Sequence, residues 1–153
     1  MARHPFNPSA LFLIEIVNFL AREFVIGIDL GTTGMKLMII DDAGVSLGSV
    51  FKPYPLTQPK MAWAEQNPRD WTLATTGGIR EILAKTKIAS QRVVGIGIAS
   101  QIDGVVVVDD SGEPVGNAII WMDRRAKRQC DAMRLRIDEN ARSFDLYRVR
   151  NKS

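Results

Sequence analysis

An acid, a turn of small residues and a cation fall within eight consecutive positions of this chain: Asp29, Gly31, Thr32, Thr33, Gly34 and Lys36, inside FVIGIDLGTTGMKLMII at 24–40. A tight turn between two strands exposes successive backbone N–H groups on its concave side, and glycines let phosphate oxygens come close to them. Thr32 and Thr33 add hydroxyl donors, and Lys36 adds a point charge. Asp29 alone would repel such an anion. Mg²⁺ removes the conflict, because it takes one or two carboxylates, several waters and phosphate oxygens. The chemistry these residues suit is the holding of a metal-bound polyphosphate, with Asp29 at the metal. Asp-x-Gly is also a good hairpin turn in its own right, so the rest of the chain has to decide.

The elements that position these residues read from periodicity. Residues 24–30 are nearly all apolar and β-prone, which predicts a strand buried on both faces whose terminal acid needs a compensating cation. A second strand follows at about 35–40, DDAG at 41–44 turns the chain, and a third strand runs over 45–51. Residues 52–67, with Pro53, Pro55 and Pro59, read as an irregular loop. Asn67 caps a helix that begins at Pro68, with Asp70 in its first turn and Trp71, Ala74, Gly78, Ile82 and Leu83 on one face. RVVGIGIAS at 92–100 predicts another buried strand, parallel to the first because a helix intervenes. GVVVVDDSGEPVGNAIIW then predicts a strand, a turn and a short strand ending at Trp121, and from Asp123 the chain becomes charged and helical. A hairpin-led sheet followed by a crossover helix predicts an α/β fold of the ribonuclease H-like kind. A strand, not a helix, follows Gly34, which excludes a Rossmann turn and a P-loop.

Four stretches in register, IGIDLGTTGMK, WAEQNPRDW, GIGIASQIDG and GEPVGNAIIWMDRRA, resemble the N-terminal domain of the FGGY carbohydrate kinases over about residues 24–137. The resemblance implies a mixed sheet with flanking helices of the actin and sugar-kinase ATPase type, here an incomplete first domain. It also implies transfer of the γ-phosphoryl group of ATP, with Mg²⁺, to a sugar or polyol hydroxyl. Asp29, Gly31, Thr32, Thr33 and Gly34 then bind the nucleotide phosphates and the metal, and Lys36 stands where glycerol kinase has an arginine near the phosphates. Gln101, Ile102, Asp103 and Gly104 fall where the family touches its substrate. Glycerol kinases carry Gln-Arg-Glu there and xylulokinases Gln-Met-His-Gly, so Ile102 leaves the sugar unnamed. Asp103 reads either as an acceptor for substrate hydroxyls or as a turn-forming acid. The resemblance also places Trp63, Glu65 and Gln66 near the substrate cleft, although Trp63 reads equally well as a plug over the core. Trp121 and Asp123 match a Trp-x-Asp segment, with Asp123 also a candidate helix cap. The general-base Asp and the adenosine-binding domain are expected beyond Ser153, so the chain alone should show little turnover.

The 153 residues suffice for one sizeable core. The single cysteine, Cys130, forms no internal disulfide, which points to a reduced, cytoplasmic setting. The apolar run at 11–20 is interrupted by Glu15 and too short for a membrane span, so residues 1–23 read as an extension. Residues 124–152 hold ten Lys/Arg against four Asp/Glu, an excess of six in a chain of net charge +3. Only Phe144 and Tyr147 supply aromatic faces in that stretch, so no nucleic-acid partner is expected. Residues 138–153 read as a basic tail, truncated or divergent. The expected partner is a small sugar or polyol, and the resemblance allows a homodimer of the full-length protein. Two alternatives stand beside the kinase: a sugar- or nucleotide-sensing remnant without catalysis, and a ribonuclease H-like nuclease with Asp103 as its second acid.

Overall fold

The computed structural model describes residues 23–134; the rest of the extension and the tail at 138–153 lie outside the described residues. In chain order the elements are β1 (Phe24–Leu30), β2 (Gly34–Asp41), β3 (Ser46–Pro53), β4 (Glu65–Gln66), α1 (Pro68–Thr86), a 3₁₀ turn (Ser90–Arg92), β5 (Val93–Ser100), β6 (Ala118–Ile119) and α2 (Lys127–Arg134). The main sheet has the order β3-β2-β1-β5, with antiparallel hairpins β1-β2 and β2-β3 and a parallel β1-β5 pair. The hairpin-led topology expected from the sequence is therefore present.

Local chemistry explains the boundaries. Asp41 Oδ1 accepts from the N–H groups of Ala43 at 3.1 Å and Val45 at 2.8 Å, which closes the β2-β3 turn around Gly44 at φ +78. Asn67 caps α1 by accepting from Arg69 N at 3.0 Å, with Pro68 in the first turn and Lys87 ending the helix in the left-handed region at φ +57. Phe24, Ile26 and Ile28 of β1 and Met35, Leu37 and Ile39 of β2 point to one side, where Ala74, Gly78 and Ile82 of α1 cover them. A Cβ added at Gly78 would lie 2.5 Å from Leu37 Cδ1, so glycine lets the helix sit low on β2. Lys85 Nζ donates to Ser49 O at 3.0 Å and Lys52 pairs with Glu81, both strapping α1 to β3.

Several expectations need correction. β1 is buried on one face only: Val25 and Asp29 are exposed, because α1 covers just the side carrying Phe24, Ile26 and Ile28. β5 is not a buried strand either. Val94, Ile96 and Ile98 are exposed, Ile98 by 68%, since β5 is an edge strand beyond the reach of α1. The run 105–108 forms no regular strand; Val105 bridges Ile119 and Val108 bridges Pro114 singly. The loop at 52–67 is more ordered than its prolines suggest: β3 extends to Pro53, Tyr54 is buried, and Glu65 pairs with both Ile119 and Thr57. A second small core of Ala64, Ala118 and Ile120 forms there, joined to the main core by Trp71. The charged helix starts at Lys127, after a turn, and not at Asp123.

The asymmetry of the sheet gives a direct test. Leu37→Ala, at a site with 0% exposure, should lower stability by about 2–5 kcal/mol, whereas Ile98→Ala on the open strand should change it by less than about 0.5 kcal/mol. Urea unfolding followed by circular dichroism measures both.

Candidate functional site

The turn between β1 and β2 is held from behind. Gly31 N donates to Gly34 O at 3.1 Å, closing it. The carbonyls that precede and form the bend are each taken by a distant segment. Leu30 O accepts from Gln101 N at 2.8 Å, Gly31 O from the Tyr54 hydroxyl at 2.5 Å, and Thr32 O from Gln66 Nε2 at 2.7 Å. A trans peptide unit is planar, with its C=O and the next N–H pointing opposite ways. Tying back the Gly31 and Thr32 carbonyls therefore turns the N–H groups of Thr32 and Thr33 outward. Among the described residues neither N–H finds an acceptor. Trp121 Nε1 donates to Thr32 Oγ1 at 2.9 Å, which leaves that hydroxyl's own hydrogen free to donate away from the indole.

Burial, and then the charge of Asp29, push the Tyr54 phenol up to about 12, so it remains a hydrogen-bond donor at neutral pH. Gly34 has a second constraint: a Cβ there would lie 2.8 Å from Lys52 O and would also strike the Phe51 ring. Glycine at this position is required by packing against β3.

Asp29 and Lys36 face each other across the β1-β2 pair, on the sheet face away from α1. Both are exposed, and neither joins an ion pair among the described residues. The expected buried, cation-compensated carboxylate is thus replaced by one at the surface, since among the described residues no layer covers this face of β1. Asp29 and Lys36 line an open trough of about 550 Å³ whose floor is Gly27, Gly97 and Ala99. A Cβ at Gly27 or Gly97 would meet nothing within 4 Å, so the floor is flat. The donor set fits a hydrated Mg²⁺ bridging to phosphate: one free carboxylate, outward N–H groups one turn away, and an open approach. Among the described residues no three His, Cys, Asp or Glu side chains gather as metal ligands.

The residues expected to meet substrate divide into two groups. Gln101 lies beside the turn: its Nε2 donates to Gln66 Oε1 at 2.8 Å, and its own Oε1 is buried without a partner. Ile102, Asp103 and Gly104 follow on an exposed bend, with Asp103 in the left-handed region at φ +60.

Trp63 and Glu65 belong to a clamp. The Arg125 guanidinium lies 3.7 Å from the Trp63 ring centre, with Lys60 at 4.8 Å from the same ring. Arg125 Nη2 reaches Glu65 Oε1 at 2.7 Å and Asp123 Oδ2 at 2.8 Å, and Asp123 Oδ2 also accepts from Ala64 N at 2.7 Å. The hydrogen bond from Arg125 holds the Glu65 carboxyl below the ordinary carboxylate range, and that from the same guanidinium lowers Asp123 to about 2. Asp123 caps no helix directly, because α2 begins four residues later; its Oδ1 accepts from Arg125 N at 2.8 Å instead. The clamp fastens the 60–66 segment to 118–125 beneath Trp121.

Tyr54, Gln66 and Arg125 carry most of this positioning, and sequence reasoning either missed them or gave them another role. An aromatic between Pro53 and Pro55 was the available signal for Tyr54. Gln66 and Arg125 act over separations of 34 and 60 residues, beyond any local pattern.

With this geometry in place, comparison with known proteins is informative. The model of the FGGY family of carbohydrate kinases, N-terminal domain, matches residues 24–145. A xylulose kinase of Staphylococcus epidermidis is 39% identical over 111 residues, covering 72% of this chain and 22% of that protein. A glycerol kinase of Listeria monocytogenes is 33% identical over 114 residues, covering 74% and 23%. The crystal structure of a xylulose kinase from Rhodospirillum rubrum superposes with a TM-score of 0.73 at 25% identity, covering 78% of this chain and 24% of that one. The chain thus spans less than a quarter of the length of these relatives.

The clamp carries a pH signature. A carboxyl whose pKa is lowered on folding stabilises above its unfolded value and loses that contribution as pH falls through the folded value. For Asp123 the window runs from the ordinary 3.8 down to about 2. The gap in urea midpoint between the wild type and Asp123→Asn should be constant above about pH 5 and close as the pH approaches 2; a pH series of urea melts reads it.

Proposed function

Because the chain belongs to the FGGY family of carbohydrate kinases, we propose that it supplies the phosphate-receiving turn and part of the acceptor side of an ATP-dependent kinase acting on a sugar or polyol. The observation that carries this reading is the orientation of the 31–34 turn, whose carbonyls are tied back while the Thr32 and Thr33 N–H groups face outward. Such donors are preorganised for an anion and need no rearrangement when charge develops on it. Lys36 adds positive charge on the same face. Asp29 is the residue that would hold Mg²⁺, which when bound supplies charge neutralisation between the phosphate oxygens. On the acceptor side, the unpartnered Gln101 Oε1 offers a buried acceptor to a hydroxyl, and leaving such an atom unpaired costs about 1–3 kcal/mol.

Ile102, Asp103 and Gly104 border this side on their exposed bend. Trp63 and Glu65 contribute indirectly: their clamp with Arg125 and Asp123 steadies Trp121 against Thr32. We assign no general base to the described residues. Among the described residues no helix is long and apolar enough to cross a membrane.

Two measurements test the reading. Calorimetric titration of the 153-residue chain with a non-hydrolysable ATP analogue should show binding that strengthens with Mg²⁺. In Asp29→Asn that Mg²⁺ dependence should fall by about tenfold or more, since one close charge–metal contact is removed. A coupled ADP-release assay over pentuloses, polyols and gluconate should stay at background for this chain alone. Binding of the analogue that ignores both Mg²⁺ and Asp29 would sink the assignment.

A further inference from the structure

Gln66 is 1% exposed, a polar side chain buried like Asp41 among the described residues, and both ends of its amide are used. Nε2 donates to Thr32 O at 2.7 Å, and Oε1 accepts from Gln101 Nε2 at 2.8 Å. Gln101 in turn donates its backbone N–H to Leu30 O at 2.8 Å, so the bonds close a ring: Leu30, the turn, Gln66, Gln101 and back to Leu30. An amide suits this place because it carries a donor at one end and an acceptor at the other. A carboxylate would set an acceptor against the Thr32 carbonyl, and an apolar chain would leave buried groups unpaired.

We propose that Gln66 is a positioning residue that couples the phosphate-receiving turn to the acceptor side of the site, so that a hydroxyl bound at Gln101 strengthens anion binding at Thr32 and Thr33. The inference rests on the functional reading above. The route is short and physical. A donor arriving at the orphaned Gln101 Oε1 fixes the plane of that amide. The fixed Nε2 then holds Gln66 Oε1, and with it the opposite end of the Gln66 amide on Thr32 O. Thr32 C=O and Thr33 N–H share one peptide plane, so the Thr33 N–H is aimed by the same contact. Binding at one end pre-orders the other, and thermodynamic linkage makes the effect reciprocal. Tyr54 serves as the internal contrast: it aims the Thr32 N–H through Gly31 O but has no bond to Gln101.

The experiment uses the whole 153-residue chain, with the non-hydrolysable ATP analogue plus Mg²⁺ as one probe and D-xylulose or glycerol as the other. In the wild type, saturation with the second probe should tighten analogue binding by at least about fivefold, the lower end of usual coupling strengths. Gln66→Met keeps the volume and removes both bonds, and there the ratio should fall to about one. Tyr54→Phe should weaken analogue binding yet keep the ratio, which a merely structural loss would not do. Urea midpoints confirm that each variant is folded. A ratio of one in the wild type, or an undiminished ratio in Gln66→Met, overturns the coupling. If the wild type binds neither probe, the functional reading fails and the coupling is read without ligand. Gln101→Ala should then shift the Thr33 amide resonance in the wild-type background and leave it unmoved in the Gln66→Met background. The same Thr33 shift in both backgrounds, or in neither, overturns the inference.

Discussion

The site depends on satisfying backbone acceptors from one side of a bend. Three successive carbonyls, those of Leu30, Gly31 and Thr32, each bind a donor from a different part of the chain. Buried carbonyls must find donors, and here the donors come from the segment behind the turn. The consequence is directional: drawing the Gly31 and Thr32 carbonyls inward sends the Thr32 and Thr33 N–H groups outward, while the Gly31 N–H closes the turn on Gly34 O. A turn that would otherwise sample several peptide orientations is held in the one that presents positive potential to solvent, and most of the remaining architecture serves to keep the three donors in place.

That service explains features that look decorative in isolation. Tyr54 arrives between two prolines at the end of β3, which fix the backbone that carries it. Gln66 lies immediately before the Asn67 cap of α1, so the helix start and the turn are registered to each other. Trp121 reaches Thr32 from a segment pinned by the Arg125 clamp. The small β4-β6 ladder and its core of Ala64, Ala118 and Ile120 are a platform for these contacts. Trp71 packs into both cores and transmits the position of one to the other.

Part of this was legible in the sequence and part was not. The apolar β-prone runs, the DDAG turn and the Asn67-Pro68 signal are local, and they place β1, β2, β3 and the start of α1 to within two residues. The chemistry of Asp29 through Lys36 was readable because the residues are adjacent and their types suit one ligand. Exposure was misread. Apolar runs such as VVGIGIAS predict burial on both faces, but burial depends on whether another layer arrives, and no layer covers β5 among the described residues. Trp63 and Glu65 stood out by type, but the clamp they form was not legible, because their partner Arg125 is 60 residues from Glu65. The run at 105–108 illustrates the limit of propensity: four β-branched residues make only single bridges, one to Ile119 at the end of the two-residue β6 and one to Pro114.

The outer margin of β5 has a further effect. Its inner side pairs with β1 along Val93–Ser100, while its outer side shows a row of backbone donors and acceptors flanked by Val94, Ile96 and Ile98. No proline or lysine interrupts that row, and the one irregularity is the register shift at Val94, near the start of the strand. A margin of this kind templates the addition of another strand. Pairing of two such margins from separate molecules is a second-order process, one that dilution slows and crowding hastens.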